Sequence, residues 1–246
     1  MKQFYQLTQN ERTADLNIYG NITSWPWREG DVSAYNLSQQ LAALDADKIN
    51  VYINSYGGEV AEGLAIYNAL KRHKAKVTTV CDGFACSIAS VIFMAGEERV
   101  MNESSLLMIH NAWTYAIGNP DELRKQAEDL DTINQASINA YLSHVSITEE
   151  ELKALMDKES WILPADALSW GFATSIGSTE ESDKPAQSAK KAVFAKMTAR
   201  TAPPQIDVKE LAEQLHLLQQ TQLQKQEPKP EQSLMQTLAG FLNTQN

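Results

Sequence analysis

Asn50-Val51-Tyr52-Ile53-Asn54-Ser55-Tyr56-Gly57-Gly58 and, farther on, Val77-Thr78-Thr79-Val80-Cys81 with Gly83-Phe84-Ala85-Cys86-Ser87-Ile88-Ala89-Ser90 are the stretches that decide how this chain folds. The β-branched runs at 50–53 and 77–81 suit buried strands, because branching at Cβ packs well on a pleated surface. Between them Val60, Leu64 and Tyr67, with Ile66 and Leu70 adjacent, give one apolar helical face. The unit is therefore strand, glycine turn, helix, strand.

Working outward, a second unit follows. The run from Ser87 to Ala95 has helical length behind a glycine-containing turn, and Arg99-Val100-Met101 and Leu106-Leu107-Met108-Ile109 return as strands. From about Leu16 to Ile176 short β-type runs alternate with amphipathic ones, which predicts an α/β domain with crossover connections. Asn119-Pro120-Asp121-Glu122 supplies an N-cap, a first-turn proline and two acids. The repeat Leu123, Ala127, Leu130, Ile133, Ser137, Tyr141 extends that helix toward Val145. Thr148-Glu149-Glu150-Glu151 is a capping box for another, and Pro164 to Trp170 ahead of Gly171 reads as a short third.

Beyond about Gly177 the composition shifts to Ser, Thr, Glu, Lys, Gln and Pro, which cannot supply much core. The chain is expected to divide into a domain at 1–176 and a polar, partly helical extension at 177–246. Within the extension Val208, Leu211, Leu215 and Leu218, and again Leu234, Leu238 and Leu242, recur at helical spacing. They suit either docking on a partner or transient solvated helices.

The chain has 246 residues, 43% of them hydrophobic, enough for one full core and an appendage. A net charge of -10 repels phosphate, and no basic stripe opposes it, so no nucleic-acid partner is expected. Cys81 and Cys86 lack paired spacing and histidine partners, which predicts buried thiols in a reducing compartment and no metal. Met1 to Gln6 lacks a signal-peptide core, and Phe84 to Gly96 is too short to span a bilayer. No membrane partner is expected, and a cytoplasmic location is.

Three features carry candidate chemistry, and each has an ordinary reading beside it. Gly57-Gly58 lets the backbone turn sharply and expose amides, yet such a pair is commonly a simple tight turn. Ser87 stands where a strand hands over to a helix, a place that serines often fill as N-caps. His110 closes a strand 23 residues later, where a histidine is often structural, but the intervening helix and strand can return it beside Ser87.

Taken together, these residues resemble the Clp protease proteolytic-subunit family over about Ile18 to Ile176. Tyr52 to Gly58 is similar to that family's oxyanion strand and turn, with Tyr56 where proline is usual. Gly83 to Ser87 resembles its nucleophile turn. Met108-Ile109-His110-Asn111 resembles its histidine strand, with Asn111 where glutamine is common. The resemblance implies a ClpP/crotonase-type α/β fold of repeated ββα units and a serine endopeptidase that needs no cofactor. In it Ser87 is the nucleophile, His110 the general base, and the amides of Gly58 and Ile88 the oxyanion hole.

At the family's aspartate position stands Glu159, ahead of Trp161, with Asp157 as the shorter alternative. Lys158-Glu159-Ser160-Trp161 and Gly171-Phe172-Ala173 are similar to the prohead-protease branch from phage and prophage head-morphogenesis modules. That branch implies capsid or scaffold protein as substrate, with self-processing of the extension as a further expectation. The family likeness also implies a homo-oligomeric ring of about six or seven subunits, with the helix from Pro120 to Val145 between rings. Three rivals stand beside this reading. One is a crotonase-fold acyl-CoA enzyme. Another is a serine-lysine dyad using Lys71, Lys74 or Lys76. The third is a catalytically inactive scaffold component.

Overall fold

The computed structural model describes residues 6–26 and 30–177. The extension beyond Gly177, with both of its apolar repeats, lies outside the described residues. In chain order the elements are β1 (Gln6–Asn10), β2 (Thr13–Ile18), α1 (Ala34–Ala43), β3 (Lys48–Ser55), α2 (Val60–Arg72), β4 (Lys76–Cys86), α3 (Ile88–Phe93), β5 (Glu98–Asn102), β6 (Leu106–Ile109), α4 (Pro120–Leu142), α5 (Glu149–Asp157), β7 (Ser160–Ile162), α6 (Pro164–Ser169) and β8 (Ser175–Gly177).

Alternation sets the central strand. On β3, Ile49, Val51 and Ile53 are fully buried while Asn50, Tyr52 and Asn54 face partly outward. The sheet runs β1-β2-β3-β4-β5-β8, with β6 on β4 and β7 on β6. β1 is antiparallel to β2, and β7 to β6, while β2, β3, β4, β5 and β8 form a parallel series. Parallel neighbours need crossovers, and α1, α2 and α3 supply them. Leu37, Leu41, Ile66, Leu70 and Ile92 on these helices are buried in one core with the sheet. This is the mixed α/β architecture expected.

The structure corrects one local expectation, the glycine turn ahead of α3. Gly83 lies inside β4, because the Asn54 side chain crosses over it and leaves no room for a Cβ, which would sit 2.7 Å from Asn54 Oδ1. That oxygen accepts the Phe84 N–H at 3.3 Å, and the β3–β4 register shifts between Ile53 and Ser55. One long strand thereby serves two partners: residues 78–81 pair with β5 and residues 84–86 with β6.

α4 starts as its sequence signals. Asn119 Oδ1 accepts from the Asp121 and Glu122 amides, and Glu122 returns a carboxylate oxygen to the Asn119 N–H. It ends at Leu142, short of Val145. Its apolar repeat packs only near the C-terminus, where Ile138, Ala140 and Tyr141 are buried, while Leu123 and Ile133 remain exposed. Arg99, buried on β5, ties down the surrounding carbonyls. Its guanidinium donates to Phe172 O at 2.8 Å, Gly96 O at 3.0 Å and Gly171 O at 3.2 Å, satisfying chain ends that follow α3 and α6. Among the described residues no helix is long and apolar enough to cross a membrane.

Candidate active site

The Gly57-Gly58 turn begins where β3 ends. Ser55 Oγ donates to Gly20 O at 2.6 Å and accepts the Gly57 N–H at 3.1 Å, which fixes the direction in which the chain leaves the strand. Gly57 has φ 92 and Gly58 φ 153, values that side chains disfavour. A Cβ on Gly57 would lie 2.8 Å from Ser87 Cβ, and one on Gly58 only 1.9 Å from Ile22 O. Ile22 clasps the turn by donating to Gly57 O at 3.0 Å and accepting from Glu59 N–H at 2.8 Å. Among the described residues the N–H groups of Gly58 and Ile88 donate to no backbone carbonyl.

Ser87 directly precedes α3 but does not cap it: its side chain makes no capping bond, and its φ 55 and ψ -131 are strained for a residue with a Cβ. Such conformations cost about 1–3 kcal/mol and persist only where the surroundings enforce them. Here both ends of the residue are held. The Ser87 N–H donates to Met108 O at 2.8 Å, and the Ser87 carbonyl accepts the Ser90 N–H at 2.9 Å and the Ser90 Oγ at 2.5 Å. The result aims Ser87 Oγ at His110 Nε2, 2.7 Å away, with both residues partly exposed. That contact is the nucleophile-base geometry of acyl transfer.

Three successive pairs, Leu107 with Ile162, Met108 with Trp161 and Ile109 with Ser160, set β7 antiparallel on β6. The pairing stops there: His110 directly follows β6 and Glu159 directly precedes β7. Glu159 has φ 50, and its N–H donates to Met156 O at 3.0 Å at the end of α5. Asp157 sits differently: its Oδ1 accepts from Asn111 Nδ2 at 2.8 Å, beside the residue after His110. An aromatic series, Tyr56 to Phe84 at 5.9 Å and Phe84 to Trp161 at 5.8 Å, links the segments that carry Gly57, Ser87 and Glu159.

The three candidate lysines lie elsewhere. Lys74 pairs with Asp45 at 2.7 Å and Lys76 with Glu98 at 2.6 Å, both at the surface, and Lys71 is exposed near the end of α2. Lys76 opens β4 and Ser87 follows its far end, so the strand's own length, about 35 Å, separates them. Cys81 and Cys86 are buried and free, and burial pushes the Cys81 thiol up to about 12.

Two residues near Ser87 were not singled out as site residues in the sequence, Ser90 and Tyr141. The Tyr141 hydroxyl lies 2.7 Å from Ser90 Oγ. Ser90 had a local signal, a second hydroxyl one helical turn after Ser87. Tyr141 had none, since 51 residues separate it from Ser90.

The Clp protease family model matches residues 28–180. The ATP-dependent Clp protease proteolytic subunit of Deinococcus radiodurans is 34% identical over 149 residues, covering 58% of this chain and 73% of that protein.

Proposed function

The chain belongs to the Clp protease family, and on that premise we propose that it is a serine endopeptidase acting through Ser87, His110 and Glu159. The observation that carries the proposal is the 2.7 Å contact between Ser87 Oγ and His110 Nε2 at a strained strand-to-helix turn. In the first step Ser87 Oγ attacks the scissile carbonyl carbon while His110 takes the hydroxyl proton. The negative charge gathers on the carbonyl oxygen, where the Gly58 and Ile88 amides receive it. Collapse expels the amine, which takes the proton back from His110, and leaves an acyl group on Ser87. Water repeats the sequence and frees the acid.

Glu159 is preferred over Asp157 as the group that orients the imidazole. Its support is position in the chain: Glu159 directly precedes β7, which pairs with the strand that ends before His110, and Asp157 accepts from Asn111. The Ser87–His110 contact also favours peptidase chemistry over a crotonase-type acyl-CoA reaction, which would use a carboxylate acid-base pair instead.

The finer reading is a prohead-type protease of phage head maturation acting on capsid or scaffold protein in the host cytoplasm. Its support is the sequence at Glu159, Trp161 and Gly171-Phe172-Ala173. Assembly into a homo-oligomeric ring is supported by the exposed first turns of α4, with Leu123 and Ile133 unpacked, and by exposed Trp113, Tyr115 and Ile117 just before it. The 177–246 extension is then an appendage to the peptidase domain and a candidate for self-processing.

The test is one intact-mass experiment. Purified wild type and Ser87→Ala are treated with a fluorophosphonate, which loses fluoride as Ser Oγ bonds to phosphorus. One adduct per wild-type chain and none on Ser87→Ala is the expected result. A folded wild type that takes no adduct would sink the peptidase reading and favour the scaffold one. Truncation of the extension in wild type alone would identify it as a substrate.

A further inference from the structure

The turn that carries Ser87 contains a relay that none of the hydrolytic steps requires. A carbonyl only accepts, so the single hydroxyl proton of Ser90 is committed to Ser87 O at 2.5 Å. In the Ser90–Tyr141 contact at 2.7 Å, the tyrosine must therefore donate. Ser90 and Tyr141 are each 1% exposed, and burial pushes the phenol's pKa up, so Tyr141 keeps its proton. The chain of bonds runs from α4 through α3 to the carbonyl of the nucleophile.

That carbonyl belongs to the same planar peptide unit as the Ile88 N–H, which points the opposite way. Gripping one end therefore aims the other, and hydrogen bonds in series polarise the unit between them. We infer that Ser90 and Tyr141 are a positioning pair that directs the Ile88 amide at the oxyanion of the tetrahedral adduct bonded to Ser87 Oγ. The inference rests on the peptidase reading. A purely structural pair would leave the same contacts but matter only to stability.

The test uses the full chain as wild type, Ser90→Ala, Tyr141→Phe and the double variant. Tyr141→Phe keeps the ring that packs 5.7 Å from Phe172. A fluorophosphonate concentration series separates the maximal labelling rate, kinact, from the apparent affinity, KI, and a thermal melt accompanies each protein. Losing an oxyanion donor outright costs about 100- to 1000-fold, so misdirecting one should slow kinact about tenfold in each single variant, with KI within about twofold. The double variant should be no slower than the worse single, because the two hydroxyls act as one relay.

A Tyr141→Phe protein that labels at the wild-type kinact, whatever its melting temperature, overturns the inference alone. So does a double variant whose loss is the product of the single losses. If Tyr141→Phe does not fold, Ser90→Ala decides by the same criterion. A folded wild type that does not label at all overturns the peptidase reading, and the inference with it.

Discussion

Replacing Gly58 with alanine puts a methyl group where the backbone of Ile22 already stands. The new Cβ would lie 1.9 Å from Ile22 O, whereas ordinary contact begins at 3.4 Å, so the turn has to move by about 1.5 Å. Ile22 is fully buried and bonded on both sides to the turn, so the displacement falls on residues 57–59. A φ of 153 adds strain in the same place. An amide about 3 Å from an oxyanion would end near 4.5 Å, beyond hydrogen-bond reach. Loss of one such donor costs about 2.7–4 kcal/mol of transition-state stabilisation, or about 100- to 1000-fold in rate. The assay is the time course of fluorophosphonate labelling by intact mass, run beside a thermal melt so that the rate refers to folded protein. Labelling within about threefold of wild type by a folded Gly58→Ala protein would refute the assignment of this amide to the oxyanion hole.

Glu159→Gln should lower the labelling rate by about 100-fold or more, because the imidazole loses its orienting carboxylate, while Asp157→Asn should stay within about threefold; the opposite ranking in the same assay would transfer the role to Asp157. His144 supplies a pH prediction. Burial first, and then the charges of Arg99 and Lys71, hold its pKa below the ordinary histidine value, with Arg99 Nη1 only 3.3 Å from its Nδ1. The unfolded chain therefore binds the proton first, so stability is complete above about pH 6.5 and declines as pH falls through the folded pKa. Melting temperatures from pH 7.5 down to 5.5 should drop more in wild type than in His144→Asn, and parallel curves would rule out this contribution.

The strands at 50–53 and 77–81 were legible because β-branching and burial leave a local trace, and β3 alternates as its sequence suggests. Ser87 and His110 were read as a pair from the resemblance to the Clp protease family, since the intervening chain only permits their return and does not dictate it. Gly83 was misplaced because a glycine under another strand's side chain looks in sequence like any turn glycine. Glu159 and Asp157 stayed alternatives in the sequence because they flank the end of a helix, where local pattern does not say which side chain turns toward the histidine strand. For α4 the apolar repeat predicted the helix correctly but not which of its turns pack. A face that buries Tyr141 and one that leaves Leu123 exposed share the same spacing.

The bond from the Ser87 N–H to Met108 O ties the Ser87 backbone to the strand that ends just before His110. Ser87 and His110 are thus held in relative position by a rung of the sheet ladder, not only by their side chains. Separating them means opening the paired ends of β4 and β6, whose residues 84–86 and 106–108 are part of the core ladder. Amide hydrogen exchange at Ser87 then measures the free energy of that opening. As the protein is destabilised, Ser87 and His110 should come apart together with this part of the sheet, so locally loosened forms that keep their contact should be rare.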